Sequence, residues 1–312
     1  MKQVWRIGTR SSALALWQAE HIAEALKKVC PGCETQLIHH ETKGDRILNK
    51  SLAAIGSKGL FTEELEEAMR AGTIDIAVHS LKDMPTELPE GLVIGAITER
   101  EVPCDALVAP VYKTLQELPQ GARIGTSSLR RQAQLLRMRP DLQIVTIRGN
   151  VQTRLRKIDE LQLDGVVLAQ AGLIRLGLAD RITQVFTVDE MIPAVGQGVL
   201  AIECRADDKE TLDTLRLLNS LETRQITEGE RSFLRQLHGG CQVPIGVHGT
   251  ITKGQLTLKA LVASLDGRNC YEGEMTGPCN AGEIIGRNLA KAIYEEGGKM
   301  VIDELIRTGV LK

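Results

Sequence analysis

Two stretches of the chain echo one another: "RIGTRSSALA" (Arg6–Ala15) and "RIGTSSLRRQA" (Arg123–Ala133). Each reads as a strand, then Gly-Thr and serines, then a helix. A helix N-terminus offers unpaired N–H groups and the positive end of a dipole, and serine hydroxyls add donors, so each turn can receive an anion. Gly-Thr-Ser is also ordinary turn and cap chemistry. Arginines set these copies apart from plain caps: Arg10 in the first, Arg130 and Arg131 in the second. One copy in each half predicts two α/β lobes facing a shared cleft, with anion sites on both walls.

Working outward, short β-rich runs alternate with helical ones. The strands are "QVWRIG", "TQLIHHE", "IDIAVHS", "LVIGAIT", "ALVAP", "ARIGT", "QIVTIRG", "GVVLAQ" and "GVLAIEC". This alternation predicts a parallel α/β architecture. In the first helix, Leu14, Trp17, Ile22 and Leu26 fall on one broad apolar stripe, as packing on a sheet requires. Near residue 207 the pattern changes to a long helical stretch broken at "TRQITEGE", where Thr227 and Glu230 have capping-box spacing and predict a new helix start. Strands joined by "TKGQ" and "LDGR" turns follow, an antiparallel meander, and then a helix from about Ala281. The expected division is residues 1–98 with 199–217, then 99–198, then an α+β unit from 218 to 312.

Bulk properties agree with several domains. A chain of 312 residues exceeds the size at which one core stops growing. Aromatic content is 3% against 43% hydrophobic, so the cores must be built from Leu, Ile, Val and Ala. A net charge of -2 exerts no general pull on nucleic acid or membrane, so any anion site must come from local clustering. The first residues lack the apolar core of a signal peptide, and no apolar run reaches the ~18 residues of a span. Seven cysteines, an odd number, do not form a disulfide framework. The expectation is a cytoplasmic monomer with reduced thiols. Cys30 and Cys33 have C-x-x-C spacing, but they follow a helix and enclose a Pro-Gly turn, so they read as incidental thiols.

Charge is concentrated between Arg123 and Lys157. Arginine outnumbers lysine there eight to one, and Asp141 is the only acid. A guanidinium grips carboxylate or phosphate with two parallel bonds and keeps its charge. Arg137, Arg139 and Arg156 read as a solvated face. Arg130, Arg131, Arg148 and Arg154 lie where strands pass into helices, the ligand end of an open α/β sheet. The window has no Phe, Tyr or Trp to stack bases, and no P-loop is present, which disfavours nucleic acid and nucleotide. A small polycarboxylate fits better. A non-catalytic, two-lobed polycarboxylate-binding protein would satisfy this much.

"IDIAVHSLKDMPTELP" argues for chemistry, because Lys82 and Asp83 follow the strand directly and a carboxylate there can sit beside a developing cation or pass protons. His79, on an apolar run, reads as a packed side chain. Cys241 in "RQLHGGCQVPIG" is a lone thiol on a turn bare of side chains.

These residues resemble the porphobilinogen deaminase, or hydroxymethylbilane synthase, family along essentially the whole chain. The motifs are "RIGTRSSALALWQA", "SKGLFTEELEEA", "DIAVHSLKDMP", "IGTSSLRRQAQL", "IRGNVQTRLRKI", "LAQAGLIRLG", "PAVGQGVLAIE" and "LHGGCQVPIG". The resemblance implies two lobes like those of periplasmic binding proteins plus a third domain. It implies a dipyrromethane cofactor joined to Cys241 by a thioether, a primer that the enzyme extends. Four porphobilinogen molecules would be joined head to tail with loss of ammonia, and water would release the linear tetrapyrrole. Each pyrrole brings an acetate and a propionate, which accounts for the arginine field. By motif position, Asp83, Lys82, Arg10, Arg148 and Arg154 match catalytic residues. Thr126, Ser128, Arg130 and Arg131, with Lys82, Asp83 and Arg154, match cofactor contacts. Arg10, Ser12, Gln18, Lys58, Phe61, Arg148, Arg175 and Gln197 match contacts to the substrate and growing polypyrrole chain. "LAAIGSKGLF" matches a mobile loop, and Ala54 stands where some relatives carry a second lysine. The resemblance implies no metal, no membrane and no nucleic acid.

Overall fold

The computed structural model describes residues 2–46, 61–237 and 243–309. The first lobe is built on β1 (Val4–Arg10), α1 (Ala13–Val29), β2 (Glu34–His40), α2 (Glu63–Arg70), β3 (Ile76–Ser80) and β4 (Leu92–Ile97). The chain then crosses to a second lobe of β5 (Asp105–Val108), β6 (Arg123–Gly125), α3 (Leu129–Met138), β7 (Gln143–Val145), α4 (Val151–Glu160), β8 (Gly165–Ala169), α5 (Gln170–Arg175) and β9 (Gln184–Val185). It returns to the first lobe as β10 (Leu200–Arg205) and α6 (Lys209–Arg216).

The sheet orders are β2-β1-β3-β10-β4 and β7-β6-β8-β5-β9. Position for position, these are one topology used twice. Each sheet is mainly parallel, as the alternation predicts, with one reversed strand. β10 runs antiparallel to β3 and β4, and β5 runs antiparallel to β8 and β9. Both reversed strands have just crossed from the other lobe, and they enter the sheet from the hinge side.

The echo extends to hydrogen bonds. The backbone N–H of Arg6 donates to Asp75 Oδ2 at 2.9 Å, and that of Arg123 donates to Asp164 Oδ2 at 2.7 Å. The Asp75 and Asp164 amides return bonds to the carbonyls of Arg6 and Arg123. Ser12 caps α1 by accepting from the Ala15 amide, and Ser128 caps α3 by accepting from that of Arg131.

The apolar stripe of α1 divides. Ala15, Ala19, Ile22, Ala23 and Leu26 are buried in the first lobe. Leu14 and Trp17 do not join them. Leu14 lies on the cleft side, near Gly172 of α5, and the guanidinium of Arg175 stands 5.6 Å from the Trp17 ring centroid. Each unit encloses one large aromatic side chain among aliphatic ones: Trp5, Phe186 and Phe233.

The third unit holds α7 (Leu221–Gln236), a meander of β11 (Ile245–Thr252), β12 (Gln255–Ala263) and β13 (Cys270–Pro278), then α8 (Gly282–Ile293) and α9 (Lys299–Arg307). The expected helix start at Thr227 is a further correction. α7 runs unbroken from its cap Ser220, and the Thr227 hydroxyl bonds back to the Thr223 carbonyl at 2.8 Å. Thr227 and Glu230 are both buried, so their spacing serves packing rather than capping. Cys30 is the C-cap of α1, and Cys33 donates its amide to the Cys30 carbonyl; neither is in a disulfide.

The two crossings touch at Gly198. Its carbonyl accepts from the Glu101 amide at 3.1 Å and from Arg175 Nη2 at 2.7 Å. Its φ is +87°, and a Cβ there would lie 2.3 Å from the Glu101 carbonyl oxygen. Gly198→Ala should therefore lower stability by about 1–3 kcal/mol, read as a drop in the urea midpoint. An unchanged midpoint would show that the crossings separate without penalty.

Candidate active site

The cleft is lined by loops at the C-terminal ends of β1, β3, β6 and β7. In the first lobe, Arg10, Ser12, Gln18, Phe61, His79, Ser80 and Asp83 surround one recess. The Arg10 guanidinium lies 4.4 Å from the Phe61 ring centroid, a cation–π contact. Gln18 donates to Ser80 Oγ at 2.8 Å. Leu81–Asp83 form a single 3-10 turn directly after β3, held by the Leu81 amide on the Val199 carbonyl. This turn leaves Asp83 exposed to the cleft and Lys82 partly covered beside it.

In the second lobe the centre is Asp105, which the sequence reading did not single out. Its carboxylate is wholly buried. It accepts from Arg130 Nη1 at 2.7 Å, from Arg131 Nε and Nη2 at 2.9 and 2.7 Å, and from Gln197 Nε2 at 3.0 Å. Arg130 and Arg131 are therefore buried in an ion-pair cluster behind the cleft surface. The cue was present: an acid opening an otherwise apolar strand, "DALVAP", has to find a cationic partner. Gln197 carries the cluster across the cleft, because its Oε1 accepts from Lys82 Nζ at 3.4 Å.

Electrostatics show how positive the region is. Burial pushes the Lys82 ammonium down to about 8; Asp83 and Asp105 oppose the shift, and Arg131 and Arg130 add to it. Burial likewise pushes Arg154 down to about 10, aided by Arg131 and Arg148 and opposed by Asp83. Burial lowers Arg130, Arg148 and Arg175 as well. For Asp105 burial works toward a higher value, and the two guanidiniums overcome it, holding the carboxyl far below the usual range. Burial is the main cause for each of these cations, and for Lys82, Arg130 and Arg154 neighbouring guanidiniums add to it. Arg130 Nε is buried with no hydrogen-bond partner among the described residues.

The other bases of the arginine window do structural work. Arg123 donates to the carbonyls of Leu161 and Gln162, and Lys157 to that of Arg148. Arg139 pairs with Asp141, and Arg156 with Glu160. Arg137, expected on a solvated face, is exposed, and there it pairs with Glu272 and Cys270 of β13, tying the second lobe to the third unit. Thr126 Oγ1 accepts from the Ser128 amide, so both echoed turns use their hydroxyls to hold their own backbone. Arg154 donates its Nε to the Gly149 carbonyl. His79 Nε2 lies 3.0 Å from Glu203 Oε2, a packed pair at the back of the recess. Cys241 and Lys58 lie outside the described residues.

Comparison with known proteins bears on this cleft directly. Residues 5–213 match "Porphobilinogen deaminase, dipyromethane cofactor binding domain", and residues 225–295 match "Porphobilinogen deaminase, C-terminal domain". The chain is 52% identical over 300 residues to the porphobilinogen deaminase of Pelobacter propionicus, covering 96% of each. It is 48% identical over 307 residues to that of Carboxydothermus hydrogenoformans, covering 98% of this chain and 99% of that one. The chain belongs to the porphobilinogen deaminase family. Among solved structures it is similar to the methionine-binding protein MetQ, with a TM-score of 0.45 and 18% identity over 72% of this chain and 93% of that one. A nutrient-binding protein of Burkholderia cenocepacia, bound to methionine, aligns with a TM-score of 0.44 and 14% identity over 71% of this chain and 94% of that one. The family's cofactor-binding segment spans both lobes and the whole cleft wall. Among the described residues, no group of three or more His, Cys, Asp or Glu side chains could hold a metal ion.

Asp105→Asn should leave two guanidiniums buried without a counter-charge and lower stability by about 3–5 kcal/mol at pH 7. The folded carboxyl titrates below its unfolded value of about 3.9, so its contribution is complete above that pH and fades as pH falls toward the folded value. Urea unfolding at pH 7, 5 and 3 should give equal wild-type-minus-variant gaps at the first two and a smaller one at the third. A gap that grows on acidification would contradict this assignment.

Proposed function

We propose that this cleft carries out the hydroxymethylbilane synthase reaction: head-to-tail condensation of four porphobilinogen molecules, loss of ammonia at each step, and hydrolytic release of the linear tetrapyrrole. The observation that carries this reading is the cationic surplus contributed by both lobes around one exposed carboxylate, Asp83. A chain rich in acetates and propionates supplies anions to Lys82 and Arg154, which form no ion pair among the described residues.

The residues present fit a dipyrromethane. Lys82, Thr126, Ser128 and Arg154 would hold its carboxylates, with Arg130 and Arg131 adding positive charge from behind the cleft surface and Cys241 as the covalent anchor. When bound, the cofactor supplies the pyrrole terminus to which substrate is added. Arg10, Ser12, Gln18, Lys58, Phe61, Arg148, Arg175 and Gln197 would orient porphobilinogen and the lengthening chain. Asp83, facing the recess, stabilises positive charge that grows on the substrate as the amine departs. It also accepts the pyrrole proton and passes it on. Arg10 and Arg148 hold substrate carboxylates so that the reacting carbon stays near Asp83. The acting units on this reading are 1–98 with 199–217, 99–198, and 218–312.

A cytoplasmic monomer is the matching context. None of the six described cysteines is in a disulfide, and the exposed large apolar side chains, such as Val4, Val111 and Met300, are spread over all three units. No described helix is long and apolar enough to cross a membrane. A non-catalytic polycarboxylate carrier would not need an exposed acid amid the arginines.

The intact mass of active protein should exceed that of the polypeptide by one dipyrromethane, and Cys241→Ser should abolish the increment. Asp83→Asn should fold and keep the increment while turnover falls on the order of 10² or more. Active protein of bare polypeptide mass would overturn the proposal, and full turnover in Asp83→Asn would remove that residue from the chemistry.

A further inference from the structure

Helix α7 belongs to the third unit, yet two consecutive buried side chains on it reach into the first two. Glu230 has no exposed surface and Arg231 very little. Glu230 Oε1 accepts from Arg100 Nη2 at 2.8 Å and from the Gly249 amide at 3.0 Å; its Oε2 accepts from the Gly196 amide at 2.8 Å. Arg100 lies on the outward crossing between the lobes and Gly196 on the return. Glu230 thus fixes α7 to the hinge itself.

Arg231 points elsewhere. Its Nη2 donates to the Pro85 carbonyl at 2.7 Å and to the Thr86 carbonyl at 3.2 Å. Those carbonyls follow directly on the turn that carries Lys82 and Asp83, with only Met84 between. Met84 is itself buried, and its amide bonds to the Leu81 carbonyl. A displacement at Pro85 is therefore passed to Asp83 through two rigid residues, one of them a proline with fixed φ. At its front the turn is held by the Leu81–Val199 bond, made within the first lobe and the hinge. At its rear the Arg231 guanidinium ties it to the third unit. A charged, buried donor to two carbonyls is a strong and directional tie. α7 ends at Gln236, five positions before Cys241 in the sequence.

We infer that Arg231 is a positioning residue for the reaction. Through the Pro85 and Thr86 carbonyls it sets where the Lys82–Asp83 turn stands relative to the third unit, which bears the cofactor cysteine. This rests on the function proposed above. Arg231 touches no substrate on this reading. It acts through Asp83, and small losses of alignment at a reacting centre are expensive in rate.

The test is a double-mutant cycle with the full chain. Arg231→Met should lower kcat for porphobilinogen about tenfold or more, with KM changed less than about threefold, because alignment rather than substrate binding is lost. Intact mass should still show the added dipyrromethane. In the Asp83→Asn background the same substitution should cost less than about twofold in single-turnover rate, since residues acting through one another are not additive. Arg231→Lys, which keeps one donor, should recover part of kcat, and it takes over the comparison if Arg231→Met fails to fold. Unchanged kcat in fully loaded Arg231→Met protein, or an equal loss with and without Asp83, would overturn the inference. Loss of the mass increment in active wild-type protein would instead overturn the underlying function, so the two failures can be told apart.

Discussion

The carboxylate of Asp105 sits among three donor side chains, Arg130, Arg131 and Gln197, and the second-lobe wall of the cleft is built on it. Two guanidiniums cannot be buried side by side without an anion, so this one acid is what lets a positive wall exist inside the protein at all. It also leaves the wall incompletely neutralised: two cations face one anion. Gln197 then transmits the register across the cleft by accepting from Lys82 while donating to Asp105. Stability of the second lobe and affinity for anions therefore share the same atoms.

The hinge follows the same economy. Each lobe contains a reversed strand, β5 or β10, placed beside its neighbours by a crossing. The crossings meet at Gly198, and Glu230 of the third unit binds both. With the lobes, the hinge and α7 joined through buried hydrogen bonds, the third unit is a brace for the cleft as well as a separate core. Arg137 adds a second attachment through β13. Bonds of this kind are stronger in low dielectric than on the surface and are lost together when one partner is removed.

What could be read from the sequence was local. The echoed turns, the meander with its "TKGQ" and "LDGR" turns and the Lys82–Asp83 turn all stand where residue order put them, because each is decided within about ten residues. The misreadings are long-range. Asp105 meets Arg130 and Arg131 from more than twenty positions away, and nothing near "DALVAP" reports that. Thr227 and Glu230 have the spacing of a cap, but burial against the hinge and meander makes them interior residues of one helix. Leu14 and Trp17 share the apolar period of α1. The first turns of that helix face the second lobe, so the stripe serves two surfaces. The Arg6–Asp75 and Arg123–Asp164 bonds make the two lobes more alike than their sequences show, since the aspartates lie far along the chain from the matching arginines.

The preference for arginine over lysine in the cleft wall has a physical reason. At comparable depth among comparable neighbours, Lys82 is brought down to about 8 whereas Arg154 stays at about 10. A wall of lysines would surrender part of its charge near neutral pH, and each added cation would make the next easier to deprotonate. Guanidiniums start high enough to absorb burial and mutual repulsion and remain charged. Among the described cations of the site, Lys82 is then the one brought closest to neutral pH. With anions absent it is held only loosely protonated by Asp83 and Asp105. A carboxylate brought close raises its proton affinity and fixes the positive charge in place. Binding an anion thus strengthens the positive charge beside Asp83.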